Sequence, residues 1–253
     1  MSHLLLNNIT VGYNQDVLKD FSLEVKYGES VGIIGPNGAG KSTFLKAVTK
    51  LLPLKAGDIT IEDQNINKLS HLEMARRVAV VNQSTNLSFN YQVSDIVKLG
   101  RFAHEDQSLE VIKPFMQQTD IWKLKDRGFY ELSGGEKQRV VISQALAQEA
   151  KLMLMDEPTS DLDIRHQIDV FNVFEQLKKQ RVLTIIAIMH DLNLAALYCD
   201  RILALKNGII VADGTPKEVL TPRNIKEIYG VNVTIAKHEE YNQPFVMLRK
   251  NTD

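Results

Sequence analysis

One string constrains this chain more than any other: Gly35-Pro36-Asn37-Gly38-Ala39-Gly40-Lys41-Ser42-Thr43. It matches G-x-x-x-x-G-K-[ST] at every fixed position. The flanks fit as well. Glu29 to Ile34 is short and rich in β-branched residues, which predicts a buried strand, and Phe44 to Leu52 reads as an apolar helix. Strand, glycine loop and helix together close backbone N–H groups around an anion, and the helix N-terminus adds a partial positive charge. Lys41 would reach the terminal phosphates, and Ser42 would offer its hydroxyl to Mg²⁺. The competing reading is a glycine-rich turn with a chance Lys-Ser, and the matched flanks argue against it. The chain is therefore expected to bind a nucleoside triphosphate.

Length and charge narrow the setting. At 253 residues there is room for one large domain, or a core with an inserted subdomain. Net charge is −1, with acids and bases interspersed, which argues against a nucleic-acid partner held by bulk electrostatics. Cys199 is the only cysteine, so no internal disulfide forms and a reducing compartment fits. The N-terminus has no basic flank and too short an apolar run for a signal peptide. The long apolar runs, such as Val182 to Met189, are strand-length, so no segment is predicted to span a bilayer. Any membrane role would be borrowed from a partner.

Along the chain, Leu4 to Val11 and Phe21 to Val25 read as strands around a polar turn at Asn14-Gln15-Asp16. Asp58 to Ile61 and Val78 to Val81 are further strands. From Asn86 to Leu146 helical patterns take over, at Val93 to Leu99, Leu109 to Gln117 and Glu136 to Ala147. Leu152 to Met155 and Val182 to Met189 return as buried strands around a helix, Ile164 to Lys179. Such alternation predicts a parallel sheet with crossover helices. Arg201 to Lys206 and Ile209 to Ala212 flank Asn207-Gly208, a hairpin turn signal. Tyr241 to Asp253 is polar and weakly patterned. The expected fold is α/β: a mostly parallel core with an N-terminal antiparallel β-subdomain (residues 1–85 and 147–253) and an inserted α-helical subdomain (86–146), all in one domain.

Two more segments carry chemistry. Leu152-Met153-Leu154-Met155-Asp156-Glu157 describes a buried strand ending in carboxylates. Asp156 is placed to hold Mg²⁺ and Glu157 to act as general base on an attacking water. Read alone, such a strand end is a loop start or a helix cap. Leu132-Ser133-Gly134-Gly135-Glu136 opens a helix. Ser133 fits an N-cap, but two adjacent glycines exceed what a cap requires and would leave N–H groups bare at a second anion site.

These residues resemble the nucleotide-binding subunit of an ATP-binding-cassette (ABC) transporter, a P-loop NTPase family, across nearly the whole chain. Leu-Ser-Gly-Gly-Glu is similar to the family's signature motif. The resemblance implies an ATPase that uses ATP and Mg²⁺ and works as a head-to-tail homodimer. Each ATP would lie between the Gly35–Thr43 loop of one chain and Ser133, Gly134 and Gly135 of the other. It further implies that Tyr13 stacks on adenine, that Gln83 touches Mg²⁺ and relays to the membrane subunit, and that His190 contacts the γ-phosphate. Ser160-Asp161-Leu162-Asp163 matches the loop that crosses the dimer interface, with Asp161 where Ala or His is commoner. Asp163 reads equally as the N-cap of the helix that follows.

Leu162 to Gln167, Met189 to Ala196 and Leu99 to His104 resemble the branch that imports chelated metals: iron–siderophore complexes, haem and cobalamin. That implies a motor on the cytoplasmic face of a bacterial membrane, coupled to a polytopic permease and, indirectly, to an extracytoplasmic solute-binding protein. None of these residues would touch the cargo. His104 and His166 lack metal-ligand spacing and read as solvated or packed polar residues. Phe89 and Tyr91 are candidate anchors for the permease, unless both rings fold into the helical insert's own core. A cassette ATPase acting on nucleic acid or the ribosome is the alternative, but it would carry a second cassette, a long coiled coil or a basic linker. A small-molecule kinase would explain Gly35 to Ser42 and leave Ser133 to Gly135 unexplained.

Overall fold

A computed structural model describes residues 2–82, 89–159, 162–179 and 183–249. Strand β1 (Ser2–Val11) carries Leu4, Leu5 and Leu6 and then Ile9 and Val11, pairs antiparallel with β2 (Leu18–Lys26) and leads to the fully buried β3 (Ser30–Ile34). Helix α1 (Lys41–Val48) follows the glycine loop. Then come β4 (Ala56–Ile61), the two-residue β5 (Gln64–Asn65), the short α2 (His71–Ala75) and β6 (Val78–Val81). The helices α3 (Val93–Leu99), α4 (Leu109–Gln118) and α5 (Gly134–Ala147) precede β7 (Leu152–Asp156), α6 (Ile164–Lys179) and β8 (Thr184–Ile188). The chain ends through α7 (Leu192–Tyr198), β9 (Arg201–Lys206), β10 (Ile209–Gly214), α8 (Pro216–Val219), α9 (Pro222–Tyr229), β11 (Val233–Lys237) and β12 (Pro244–Leu248).

The chain divides into two compact units, Met1–Lys68 with Ile185–Asp253, and Leu69–Thr184. The first holds an antiparallel sheet in the order β2-β1-β4-β5. It also holds β3, which lies parallel between β8 and β9, with β10 returning antiparallel beside β9. A strand buried on both faces reads as a continuous apolar run, as β3 does. The second unit pairs β6 parallel with β7. Its helices pack Val93, Ile96 and Val97 of α3 against Ile112 and Met116 of α4 and Val140 and Ala147 of α5, closed by Phe129. This 3.6-residue spacing places one apolar face of each helix inward.

The helix expected over Phe44 to Leu52 is set earlier. Gly40 starts it at Lys41, and it stops at Val48, where the Thr49 hydroxyl turns back to the Leu45 carbonyl (2.8 Å) and Lys50 takes a φ of +59°. The tail read as weakly patterned contains β12, which the pairing with β11 organises. Sequence period alone does not reveal a strand whose stability comes from a tertiary partner.

Candidate functional site

The glycine loop springs from the end of β3. A side chain at Gly35 would run into the Leu205 carbonyl, so backbone passes there where nothing larger fits. Gly40 caps α1 at φ +104°, a left-handed conformation that suits glycine, and a Cβ would stand 2.7 Å from Leu18. Ala39 N–H donates to the Pro36 carbonyl (3.2 Å), and Gly208 N–H donates to the Ala39 carbonyl (3.0 Å). The Asn207-Gly208 turn therefore does more than join β9 to β10: it supports the loop from behind.

No side chain caps α1, and its first turn holds no acid. Its leading N–H groups and positive dipole end are thus left to an incoming anion. Lys41 is 6% exposed, and its Nζ donates to the carbonyls of Gly35 (2.7 Å) and Pro36 (3.0 Å). The ammonium is held across the loop itself. Ser42 is exposed and Thr43 half-buried. Tyr13 is 57% exposed, and its hydroxyl accepts from Lys46 Nζ of α1 (2.9 Å), which also stands 5.5 Å over the ring. That contact fixes the ring relative to α1.

His190 is exposed just past β8, where Met189 N–H extends the ladder to the Ile33 carbonyl (3.0 Å). Asp191 then caps α7, accepting from Asn193 N–H (2.8 Å) and Leu194 N–H (3.0 Å). Two further residues brace these turns, and sequence reasoning missed both. Asn193 clasps the backbone of Val246 in β12, accepting from its N–H (2.7 Å) and donating to its carbonyl (3.3 Å). Tyr229, at the end of α9, lies beside the Gly35 backbone. Burial pushes that phenol up to about 12, although the Gly35 backbone beside it opposes the rise. The helix carrying Tyr229 had a legible frame: Thr221 as N-cap, Pro222 at its first position and Gly230 after its last. Nothing in the sequence points from Tyr229 to Gly35.

In the second unit β7 ends at Asp156, and Glu157 sits at φ +51°. A non-glycine residue held in the left-handed region costs on the order of 1–3 kcal/mol and persists where the surroundings over-determine it. Both residues are half-buried, and neither is without a partner. Gln83 and Asp161 lie outside the described residues.

Ser133 forms a full capping box at the start of α5. Its Oγ accepts from Glu136 N–H (3.3 Å), and Glu136 Oε2 accepts from Ser133 N–H (2.8 Å) and Oγ–H (2.9 Å). The Ser133 N–H holds the Glu136 carboxyl below the usual carboxylate range. The two glycines turn out to differ. A Cβ on Gly135 would enter the His166 ring, whereas one on Gly134 would stand 3.6 Å from Leu162, an ordinary contact. The second glycine thus has a packing reason that spacing could not show. Asp163 caps α6, accepting from His166 N–H (2.9 Å) and facing His166 Nδ1 at 2.9 Å; the His166 N–H keeps its carboxyl low.

The Leu99 to His104 segment is a fastening. Gly100 leaves room for the Gln144 carbonyl, and buried Arg101 reaches the Asp106 carbonyl (3.1 Å), the Ala147 carbonyl (3.1 Å) and Glu149. His104 Nε2 meets the Gln148 carbonyl at 2.9 Å. His104 and His166 are packed polar residues. Phe89 and Tyr91 meet edge to face but stay 68% and 44% exposed, so their rings are not folded into the insert's core.

Comparison with known proteins adds a family model described as ABC transporter, which matches residues 18–160. The hemin import ATP-binding protein of Pseudomonas putida is 37% identical over 244 residues, covering 93% of this chain and 95% of that one. The ferric enterobactin transport ATP-binding protein of Escherichia coli is 36% identical over 247 residues, covering 94% and 91%. Among solved structures, a dimeric ATP-binding cassette in a post-hydrolysis state bound to ADP and Pi superposes with a TM-score of 0.75 at 27% identity, over 84% of this chain and 98% of that one.

Proposed function

Because the chain belongs to the ABC transporter family, we propose that it is the motor subunit of a bacterial importer for an iron–siderophore complex, haem or a related metal chelate. The ATP-binding subunits of such transporters are ATPases, and so is this chain. The relatives' hemin and ferric enterobactin cargoes support the class of chelate without choosing one. Among the described residues no helix is long and apolar enough to cross a membrane, in keeping with a peripheral subunit that borrows its anchorage from a permease.

The single observation that carries the reading is the start of α1, uncapped by any side chain and spanned by a buried lysine. Backbone N–H groups from Gly38 to Thr43 bind the phosphates, and Lys41 moves from loop carbonyls onto the terminal ones. Tyr13 stacks on the base. The donor set fits Mg²⁺, which prefers one or two protein oxygens beside phosphate and water: the exposed Ser42 hydroxyl and the Asp156 carboxylate. When bound, the ion neutralises charge developing on the phosphates. Glu157, turned by its left-handed backbone, accepts the proton of the attacking water, and His190 contacts the γ-phosphate. Ser133, Gly134 and Gly135 serve the ATP of a second copy. The exposed pair Phe89 and Tyr91 offers an aromatic anchor to the permease.

Glu157→Gln tests this. An amide of the same shape neither accepts the proton nor orients the water well, so hydrolysis is expected to slow at least ~100-fold. ATP binding is retained, and losing one negative charge favours an ATP-dependent dimer in size-exclusion chromatography. Turnover near that of the wild type would remove Glu157 from the reaction.

A further inference from the structure

The geometry points to an effector site for a small organic anion in the last forty or so residues of the first unit. A cavity of about 480 Å³ lies there, lined among others by Lys217 of α8, Leu220, Ile235 and Lys237 of β11, and Asn242 and Pro244 at the start of β12. That volume is within the range of ligand pockets. Its wall is chiefly apolar, from Leu220, Ile235 and Pro244. Among the described residues, its two charged groups are both lysines, neither is ion-paired, and no carboxylate lines it. The nearest acid on α8, Glu218, is already engaged with the Thr215 N–H and hydroxyl. An apolar pocket with two unpaired ammonium groups complements a ligand with an apolar body and a carboxylate head.

The walls of this cavity are also the levers of the phosphate site. Helix α9 begins at the cavity with Pro222 and ends at Tyr229, whose side chain lies beside the Gly35 backbone. Strand β12 begins at the cavity with Pro244, and two residues later Val246 is clasped by Asn193, just past His190 and Asp191. A ligand that changes the spacing of α9 and the β11–β12 hairpin therefore acts on the glycine loop and the His190 turn together. Binding in the cavity stands on its own; its effect on ATP rests on the proposed role of that loop and turn.

The test uses the full chain with octanoate as probe and 1-octanol as its neutral counterpart, by calorimetry. Octanoate is expected to bind saturably at one site. 1-Octanol, and octanoate with the Lys217→Ala, Lys237→Ala double variant, should each bind about tenfold more weakly, the scale of one lost charge-assisted contact. Saturating octanoate should change ATP affinity at least about threefold, and Tyr229→Phe should erase that change while leaving octanoate binding intact. Equal binding of octanoate and octanol, or unchanged binding by the lysine variant, overturns the site. Normal ATP affinity that octanoate leaves untouched overturns the coupling. A chain that binds octanoate but no ATP fails the ATPase reading instead.

Discussion

Two helices of this molecule start at a glycine, Gly40 before α1 and Gly134 in α5, and they are finished in opposite ways. Helix α1 starts behind Gly40 with no side-chain cap and no acid, and its lysine lies across the opening. Helix α5 starts behind Ser133 with both halves of a capping box in place. The first end is left unsatisfied and open to an external anion. The second is satisfied at two of its donors by its own residues, which leaves the Gly134 and Gly135 N–H groups as its contribution to any anion. The difference teaches that one start is incomplete alone, while the other is rigid alone and lends only its tip.

Breaking the first start has the largest effect. Lys41→Ala should weaken ATP binding by roughly 10- to 100-fold, the scale of lost charge-assisted contacts, and abolish hydrolysis. Calorimetry and phosphate release measure both, and near-normal turnover would refute the assignment. Ser133→Arg should act differently: ATP binding by the monomer stays nearly intact, while dimer closure and hydrolysis fail. Mixing it with Lys41→Ala should restore part of the activity, since such heterodimers hold one intact composite site. Normal hydrolysis by Ser133→Arg alone would rule out the head-to-tail arrangement.

Smaller effects separate the two glycines of α5. Gly135→Ala should cost about 1–3 kcal/mol, because the new methyl enters the His166 ring. His166→Ala in the same chain should return most of that loss, whereas Gly134→Ala should stay within about 0.5 kcal/mol. Thermal unfolding reads all three, and equal costs at the two glycines would remove the packing account. The smallest effect is that of Glu136→Gln, ~0.3–1 kcal/mol at neutral pH, from a charge at a helix start. Glu136 titrates below its ordinary 4.5 in the folded chain. Its contribution is therefore present above the unfolded value and lost as pH falls through the folded one. The gap between variant and wild type should close on acidification below 4.5, and a gap that widens there would reverse the sign.

What was legible follows the same divide between local and remote causes. Val78–Val81, Val93–Leu99, Ile164–Lys179 and Arg201–Lys206 form as their periodicity and turn chemistry predict. Asn207-Gly208 makes its hairpin with both residues at positive φ. The loop, Lys41 and the strand ending at Asp156 are local too, and were legible for that reason. What was not legible depends on partners far along the chain. His166 explains Gly135 from 31 positions away, Val246 holds Asn193 from 53, and Tyr229 lies beside Gly35 from 194. No spacing rule encodes such pairs.

Lys41 has one consequence in time rather than in space. Its ammonium is bonded to two carbonyls of the loop it serves. On the role proposed for Lys41, these bonds are an internal placeholder, and nucleotide capture is a substitution rather than a filling. Where the carbonyl bonds give way to phosphate bonds, binding divides into a collision that scales with nucleotide concentration and an exchange that does not. At high concentration the observed rate should level off at the pace of that exchange, a plateau set by one side chain changing hands.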